Sequence, residues 1–426
     1  MQENRTGVNL ILGARMSESS RKVRWLLILL FIVNLLNFID RQVIYAVFPL
    51  IKKDLMLSDT ALGLLGSSFM ICFMFSALLF GIFEYRFSRT KMAAGALVLW
   101  SLATLGAGLS SGYHSLLAMR SFVGAGEAVF GTVSPGLIAE SFGRNIRSRV
   151  LSFFFLAGPL GSALGYLLGG MLGQRFGWHA AFLIVGLPGL ALALPLWRLS
   201  DPLQRKDIAA HGPAKSLMAP EIRTLFTNWS FVLITLAMAA MTFAVGGLVQ
   251  WLPTFLYRMH GLSVAKGSAI IGGITVLAGI GGTLAGGYLG DRCQKKSSRG
   301  YLSVSAWGFL LSVPALACSL MTQVLPLGLA TLLMAECFIF LCMGPLSTLI
   351  VNVTKPQLRT AAFALNLFFI RALGDAASPT ILGSLSDIFD LRKALLVTPF
   401  CLLLAALLCF AAGRFITTDL REHDMD

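Results

Sequence analysis

Charge is scarce and lopsided in this chain. Asp, Glu, Lys and Arg make up 13% of its 426 residues, and 34 basic residues stand against 20 acidic ones. Ordinary soluble domains carry about 25% charged residues, so the composition excludes that class. Histidine is rarer still, and His114, His179, His211, His260 and His423 fall in predicted loops or tails. No Ser-His-acid, paired-carboxylate or metal-ligand constellation emerges. An intramembrane enzyme is therefore a poor reading, and neither a metal nor a cofactor is expected. Of the seven cysteines, six (Cys72, Cys318, Cys337, Cys342, Cys401, Cys409) lie in apolar stretches and Cys293 lies outside them, a pattern of neither disulfides nor metal binding. The first 23 residues lack a signal-peptide core and cleavage site, so the first apolar span is expected to direct insertion itself.

What is abundant is apolar sequence. Hydrophobic residues reach 56% and the mean hydropathy is +0.77. Twelve apolar spans are predicted, near 24–49, 59–83, 92–111, 113–139, 148–172, 180–198, 229–257, 264–289, 301–321, 324–350, 358–384 and 392–416. Each is long enough to cross a bilayer with some tilt, which makes the chain an all-α integral membrane protein. Placing both termini in the cytoplasm, and counting residues at span ends with the adjacent side, puts about 24 of the 34 Lys and Arg on the inner side, about 7 on the outer side and 3 deep within spans. The net charge of +14 is thus mostly topology and attraction to anionic lipid headgroups, and no nucleic-acid motif competes with that explanation.

The few charges inside the spans carry the functional signal. A charge near the bilayer centre costs about 2.5 to 3.5 kcal/mol on insertion scales, so its presence calls for a role. In RSFVGAGEA, Arg120 and Glu127 are seven residues apart, an advance of about 700° and roughly 10 Å along a helix. Both can face one cavity at two depths. Span one carries Asn34, Asn37, Asp40 and Arg41, largely on one face. Counted from the helix ends at about 1.5 Å per residue, Asp40 and Arg120 reach similar depth, so a pair between them is expected. Asp40 and Glu127 are candidate proton carriers. Arg41 and Arg120, with Asn37, are candidates for holding an anionic headgroup bidentately or for capturing the acids when no substrate is bound. In the second half, Glu336 in span ten and Arg371 in span eleven reach comparable depth, which makes an interhelical pair plausible, with Asp375 as a local partner of Arg371.

The chain also repeats itself. Residues 199–228 form the longest polar interruption and separate a bundle at 24–198 from a second at 229–416, flanked by cytoplasmic tails at 1–23 and 417–426. Pro49 and GIFEYR from Gly81 in the first half recur as Pro253 and GYLGDR from Gly287 in the second. RSRVLSFFFLAGPLG from Arg147 resembles RTAAFALNLFFIRALG from Arg359, each an arginine followed by a helix with a break near its middle. Two similar six-span halves in series suit a transporter that rocks them about a central site. The glycines of span five, Gly158, Gly161, Gly165 and Gly169, are expected to serve close helix packing, and the glycine-rich span eight gives no dinucleotide fingerprint.

Twelve spans in two halves, basic loops after spans two and eight, and R-x-x-x-G-x-G in span four resemble the major facilitator superfamily. Within it, NFIDRQVIYAVFPLIKKDL (Asn37 to Leu55), RSFVGAGEAVFGTVSPGLIAESF (Arg120 to Phe142) and RSRVLSFFFLAGPLGSALGYLLGG (Arg147 to Gly170) are similar to the Spinster lipid transporters. The resemblance implies two pseudo-symmetric six-helix bundles and alternating access. It implies proton-coupled movement of lysophospholipid-like or sphingoid-like amphiphiles by a monomer in a bacterial inner membrane. It places Asp40, Arg41, Arg120 and Glu127 at the family's charged positions. It also implies conformational gating by the loop residues Glu84, Arg86, Asp291 and Arg292, although Tyr85 stands where an acid is usual, leaving Glu84 as a substitute. A proton-coupled organic-anion symporter and an uncoupled lipid scramblase are the competing expectations.

Overall fold

The structure, a computed structural model, describes residues 18–83, 88–142, 144–199, 219–355 and 358–416. Among these residues twelve helices are long and apolar enough to span a membrane: α1 (Val23–Ala46), α2 (Asp59–Phe80), α3 (Arg89–Gly108), α4 (Tyr113–Ile138), α5 (Arg149–Phe176), α6 (Trp178–Arg198), α7 (Trp229–His260), α8 (Val264–Gln294), α9 (Gly300–Met321), α10 (Leu325–Asn352), α11 (Ala361–Ile388) and α12 (Leu391–Ala412). Two short helices join them. Phe48–Leu55 continues α1 beyond Val47, and Ala219–Thr227 occupies the end of the segment expected to be a polar linker. His114, His179 and His260 fall within the ends of α4, α6 and α7 rather than in loops.

Helix packing reproduces the repeat. In the first half α2 packs on α4, α3 on α4 and α6, and α1 on α5 and α6; in the second, α8 packs on α10, α9 on α10 and α12, and α7 on α11 and α12. Advancing each number by six converts the first set into the second. The same exchange turns the interface between α5 and α8 into that between α11 and α2, and these are the main contacts between halves.

The small residues explain how the helices approach so closely. A Cβ on Gly161 would sit 2.7 Å from the Leu35 carbonyl oxygen, and one on Gly165 would sit 2.6 Å from that of Ile39, so α5 rests directly on the backbone of α1. On α8, Gly282 and Gly286 accept α10 in the same way, against the carbonyl oxygens of Cys337 and Leu341. The expected mid-helix breaks are present. Helix α5 is interrupted at Leu156, and α11 widens into a π-helical turn at Arg371–Asp375. Such π-turns recur at functional sites because they free backbone groups and re-aim side chains.

Candidate functional site

The charged residues of α1 and α4 meet inside the first half. Arg41 Nε donates to Glu127 Oε2 at 2.6 Å, with the Glu127 side chain fully buried and that of Arg41 14% exposed. Asn37, one turn earlier on α1, sits beside Glu127. Asp40 is aimed elsewhere, because adjacent residues on a helix point about 100° apart. Its Oδ2 accepts a hydrogen bond of 2.8 Å from the Thr104 hydroxyl of α3. The expected Asp40–Arg120 pair is not formed. Arg120 is buried with its guanidinium 4.8 Å from the centre of the Phe69 ring, and its Nε and Nη2 have no hydrogen-bond partner among the described residues. Its positive charge still lies within reach of both Asp40 and Glu127.

This arrangement holds two acids and two arginines with one close ion pair among them. An arginine keeps its charge at any working pH, so Arg120 is a buried cation whose remaining donors are available to an anion. Aromatic rings supply the surrounding wall. Arg41 lies 5.1, 5.4 and 4.9 Å from the ring centres of Phe38, Phe69 and Phe73. Phe73 of α2 also faces Arg371 of α11 at 5.8 Å, so one ring separates a guanidinium of each half.

Tyr45, one turn beyond Arg41, completes the site and was not among the expected residues. It is 8% exposed and lies within electrostatic range of Arg41, Arg120, Glu127 and Asp375. Its signal in the sequence was its position, four residues after Arg41 on the face of α1 that carries the charges. Thr104 gave no comparable signal, since a threonine in a span ordinarily returns its hydroxyl to its own helix.

The second half departs from expectation. Arg371 does not reach Glu336. Its Nη1 donates to Asp375 Oδ2 at 2.6 Å, the local pairing, and approaches Met70 of α2. Glu336 instead faces Thr275 of α8. Of the gating candidates, Asp291 accepts from the Tyr301 hydroxyl at 2.7 Å, and Arg292 approaches the Tyr288 hydroxyl at 3.4 Å, both within the second half. Glu84 and Arg86 lie outside the described residues.

A second polar cluster, also unforeseen, ties the halves together at the end of the bundle where α2 begins and α7 and α11 finish. Asp59 receives both Nη atoms of Arg258 at 2.6 Å each, Lys52 Nζ at 2.5 Å and the Ser386 hydroxyl at 2.5 Å. Asp387 of α11 caps α2, accepting from the backbone N–H groups of Asp59 and Thr60 at 2.8 Å and from the Thr60 hydroxyl at 2.6 Å. Nearby, Gly63 lies against the Pro379 carbonyl and Gly383 against that of Asp59, distances that leave no room for a side chain. Along the other interface, Gly170 packs on Ser268 and Gly272 on Ala163. Tyr166 of α5 donates its hydroxyl to the carbonyl of Val249 in α7. The Asp59 cluster, with Gly63 and Gly383, thus seals the halves together at that end, while the Gly272 and Tyr166 contacts join them level with the charged residues of α1.

The sequence profile of the Major Facilitator Superfamily matches residues 30–379. Protein spinster homolog 1 of Xenopus laevis is 32% identical over 93% of this chain and 80% of its own length, and the human protein of the same name is 32% identical over 83% and 71%. The chain belongs to the Spinster branch of the major facilitator superfamily. Among solved structures, a bacterial homologue of the human lysosomal transporter Spinster, in an inward-facing and unoccupied conformation, superimposes with a TM-score of 0.84 at 22% identity, covering 95% of this chain and 99% of that one. A nucleoside transporter shares the fold with a TM-score of 0.77 at 15% identity, covering 92% and 99%. The Spinster-like chain is accordingly an integral, multi-pass membrane transporter.

Proposed function

We propose that this Spinster-like protein is a proton-coupled secondary transporter of single-chain, lipid-like amphiphiles of lysophospholipid or sphingoid type, working by alternating access as a monomer rather than as an enzyme. The observation that carries this reading is the buried Arg120, with donors unpartnered, beside the Arg41–Glu127 pair and against phenylalanine rings. A guanidinium with free donors suits an anionic or zwitterionic headgroup, and aromatic walls suit the start of an apolar tail.

Proton coupling follows from the pair. With Glu127 ionised, Arg41 is occupied by its carboxylate. A proton arriving at Glu127 removes the negative charge, leaving Arg41 free to turn with Arg120 toward an anionic headgroup. Departure of the proton restores the pair and expels the headgroup. Asp40, held by Thr104, is the second carboxyl able to take a proton in this half. Tyr45 lies within electrostatic range of charged groups from both halves.

With both termini cytoplasmic in a bacterial inner membrane, the end sealed by Asp59 and Arg258 faces outward. The Asp59 cluster is then the outer latch, and Glu84 and Arg86 with Asp291 and Arg292 belong to the loops that close the opposite end. Liposomes carrying the purified protein test the reading, with lysolipids, sphingoid bases and short organic acids offered with and without an imposed pH gradient. Gradient-dependent movement of single-chain lipids is the expected result. Gradient-driven uptake of organic acids alone would establish an organic-anion symporter, and lipid movement indifferent to the gradient a scramblase.

A further inference from the structure

Helix α10 carries a carboxyl that the site described above does not use. Glu336 lies eleven residues into α10, about 17 Å from the start of that helix at 1.5 Å per residue and so close to mid-membrane depth. It is 7% exposed, and its Oε2 has no hydrogen-bond partner among the described residues. Helix α8 contributes the Thr275 hydroxyl, α5 brings Tyr166 within electrostatic range, and Cys337 adjoins it on α10 itself. No charged side chain from α8, α9 or α5 is paired with it among the described residues.

An ionised carboxylate buried without a cation or a full set of donors is among the costliest arrangements in a protein interior. A protonated acid meets the same surroundings far better, since it carries no charge and can offer its proton to Thr275. The location also couples it to movement. Thr275 lies three residues from Gly272, which packs on Ala163 of α5 across the boundary between halves. Parting α5 from α8, as opening of the sealed end requires, moves Tyr166 away and exposes this face of α8 and α10 to the widening cavity. Water reaching Glu336 then solvates the carboxylate and lets the proton leave.

We propose that Glu336, set between α8 and α10 beside the α5 contact, is a second proton-carrying site, located in the half opposite to Asp40 and Glu127. Tyr166 connects the two regions, because it lies within electrostatic range of both Glu336 and Tyr45, and Tyr45 in turn lies within range of Glu127 and Arg120. The proposal rests on the proton-coupled reading above and adds a site to it.

Two measurements on the full-length protein test it. In pH-difference infrared spectra of reconstituted protein, the protonated-carboxyl C=O band of the sealed conformation should be lost in Glu336→Gln and kept in Glu127→Gln. An unchanged band in Glu336→Gln overturns the proposal whether or not transport is proton-coupled. In liposomes, the protons moved per substrate, read from the reversal potential, should fall by one in Glu336→Gln while substrate exchange at equal pH persists. An unchanged stoichiometry would make Glu336 a fixed acid and overturn its carrier role. Thr275→Val leaves the carboxyl in place and should displace the pH at which the Glu336 band disappears. Absence of proton coupling in the wild type, with the Glu336 band present, would refute the transport reading separately.

Discussion

Replacing Asp59 by Asn should unlatch the sealed end, and the size of the effect can be worked from its contacts. Arg258 and Ser386 reach Asp59 from the second half, whereas Lys52 belongs to the first half and stays with Asp59 whichever way the halves tilt. Only the former bonds are lost on opening. Hydrogen bonds to a charged group contribute about 1.5 to 3 kcal/mol each, but the Arg258 side chain is 23% exposed and water replaces part of that on opening. A net loss of about 2 to 3 kcal/mol from the sealed state is the resulting estimate, a rise of roughly 30- to 150-fold in the ratio of open to sealed protein. The Asn variant also leaves Lys52 and Arg258 without the anion between them, which pushes in the same direction. Spin labels at Leu109 and Val324, exposed positions of opposite halves at this end, report the separation by pulsed electron resonance once the seven native cysteines are replaced. A longer-distance population should emerge in Asp59→Asn and in Arg258→Gln, with little further gain in the double variant. Distance distributions identical to the wild type in both single variants would refute the latch.

Arg41→Gln and Glu127→Gln should be strongly non-additive in transport, because either one dissolves the same 2.6 Å pair, whereas Asp40→Asn and Arg120→Gln, which share no direct bond but interact electrostatically, should couple more weakly; double-mutant cycles on liposome transport decide this. Gly165→Ala forces a Cβ to within 2.6 Å of the Ile39 carbonyl and should cost about 1 to 3 kcal/mol of stability by overpacking. Gly273→Ala meets nothing within 4 Å and should be neutral or gain up to about 1 kcal/mol from helix propensity, a contrast readable from melting temperatures in detergent. Corrected for partitioning, apparent affinity for single-chain lipids should rise with about 0.8 kcal/mol per buried methylene until the cavity is filled, and a flat series from eight to eighteen carbons would contradict an amphiphile site.

The spans were legible because hydropathy and length alone define them, and every predicted boundary falls within five residues of the structural one. The two halves were legible from recurring punctuation, and the breaks at Leu156 and Arg371 fall where the repeat placed them. The identities of the buried charges were equally plain. Their pairing was not, because depth is read along the helix axis while partnership depends on rotation about it. Asp40 and Arg41 are neighbours in sequence yet point to different helices, one to Thr104 and the other to Glu127. Glu336 and Arg371 share a depth but not a direction. The latch was invisible for another reason: Asp59, Arg258 and Asp387 sit at span ends, where charged residues are ordinary, and only the approach of the halves brings together residues nearly 330 positions apart.

Proton movement triggered by substrate tests the central claim most directly. Liposomes enclosing a pH-sensitive dye, with no imposed gradient, receive a single-chain lipid on one side, and internal pH is followed in wild type and in Glu127→Gln. A substrate-dependent pH change that is present in the wild type and lost in Glu127→Gln, with lipid binding partly kept, is the expected result. An equal pH change in Glu127→Gln, or lipid transport in the wild type with no pH change, would contradict the account.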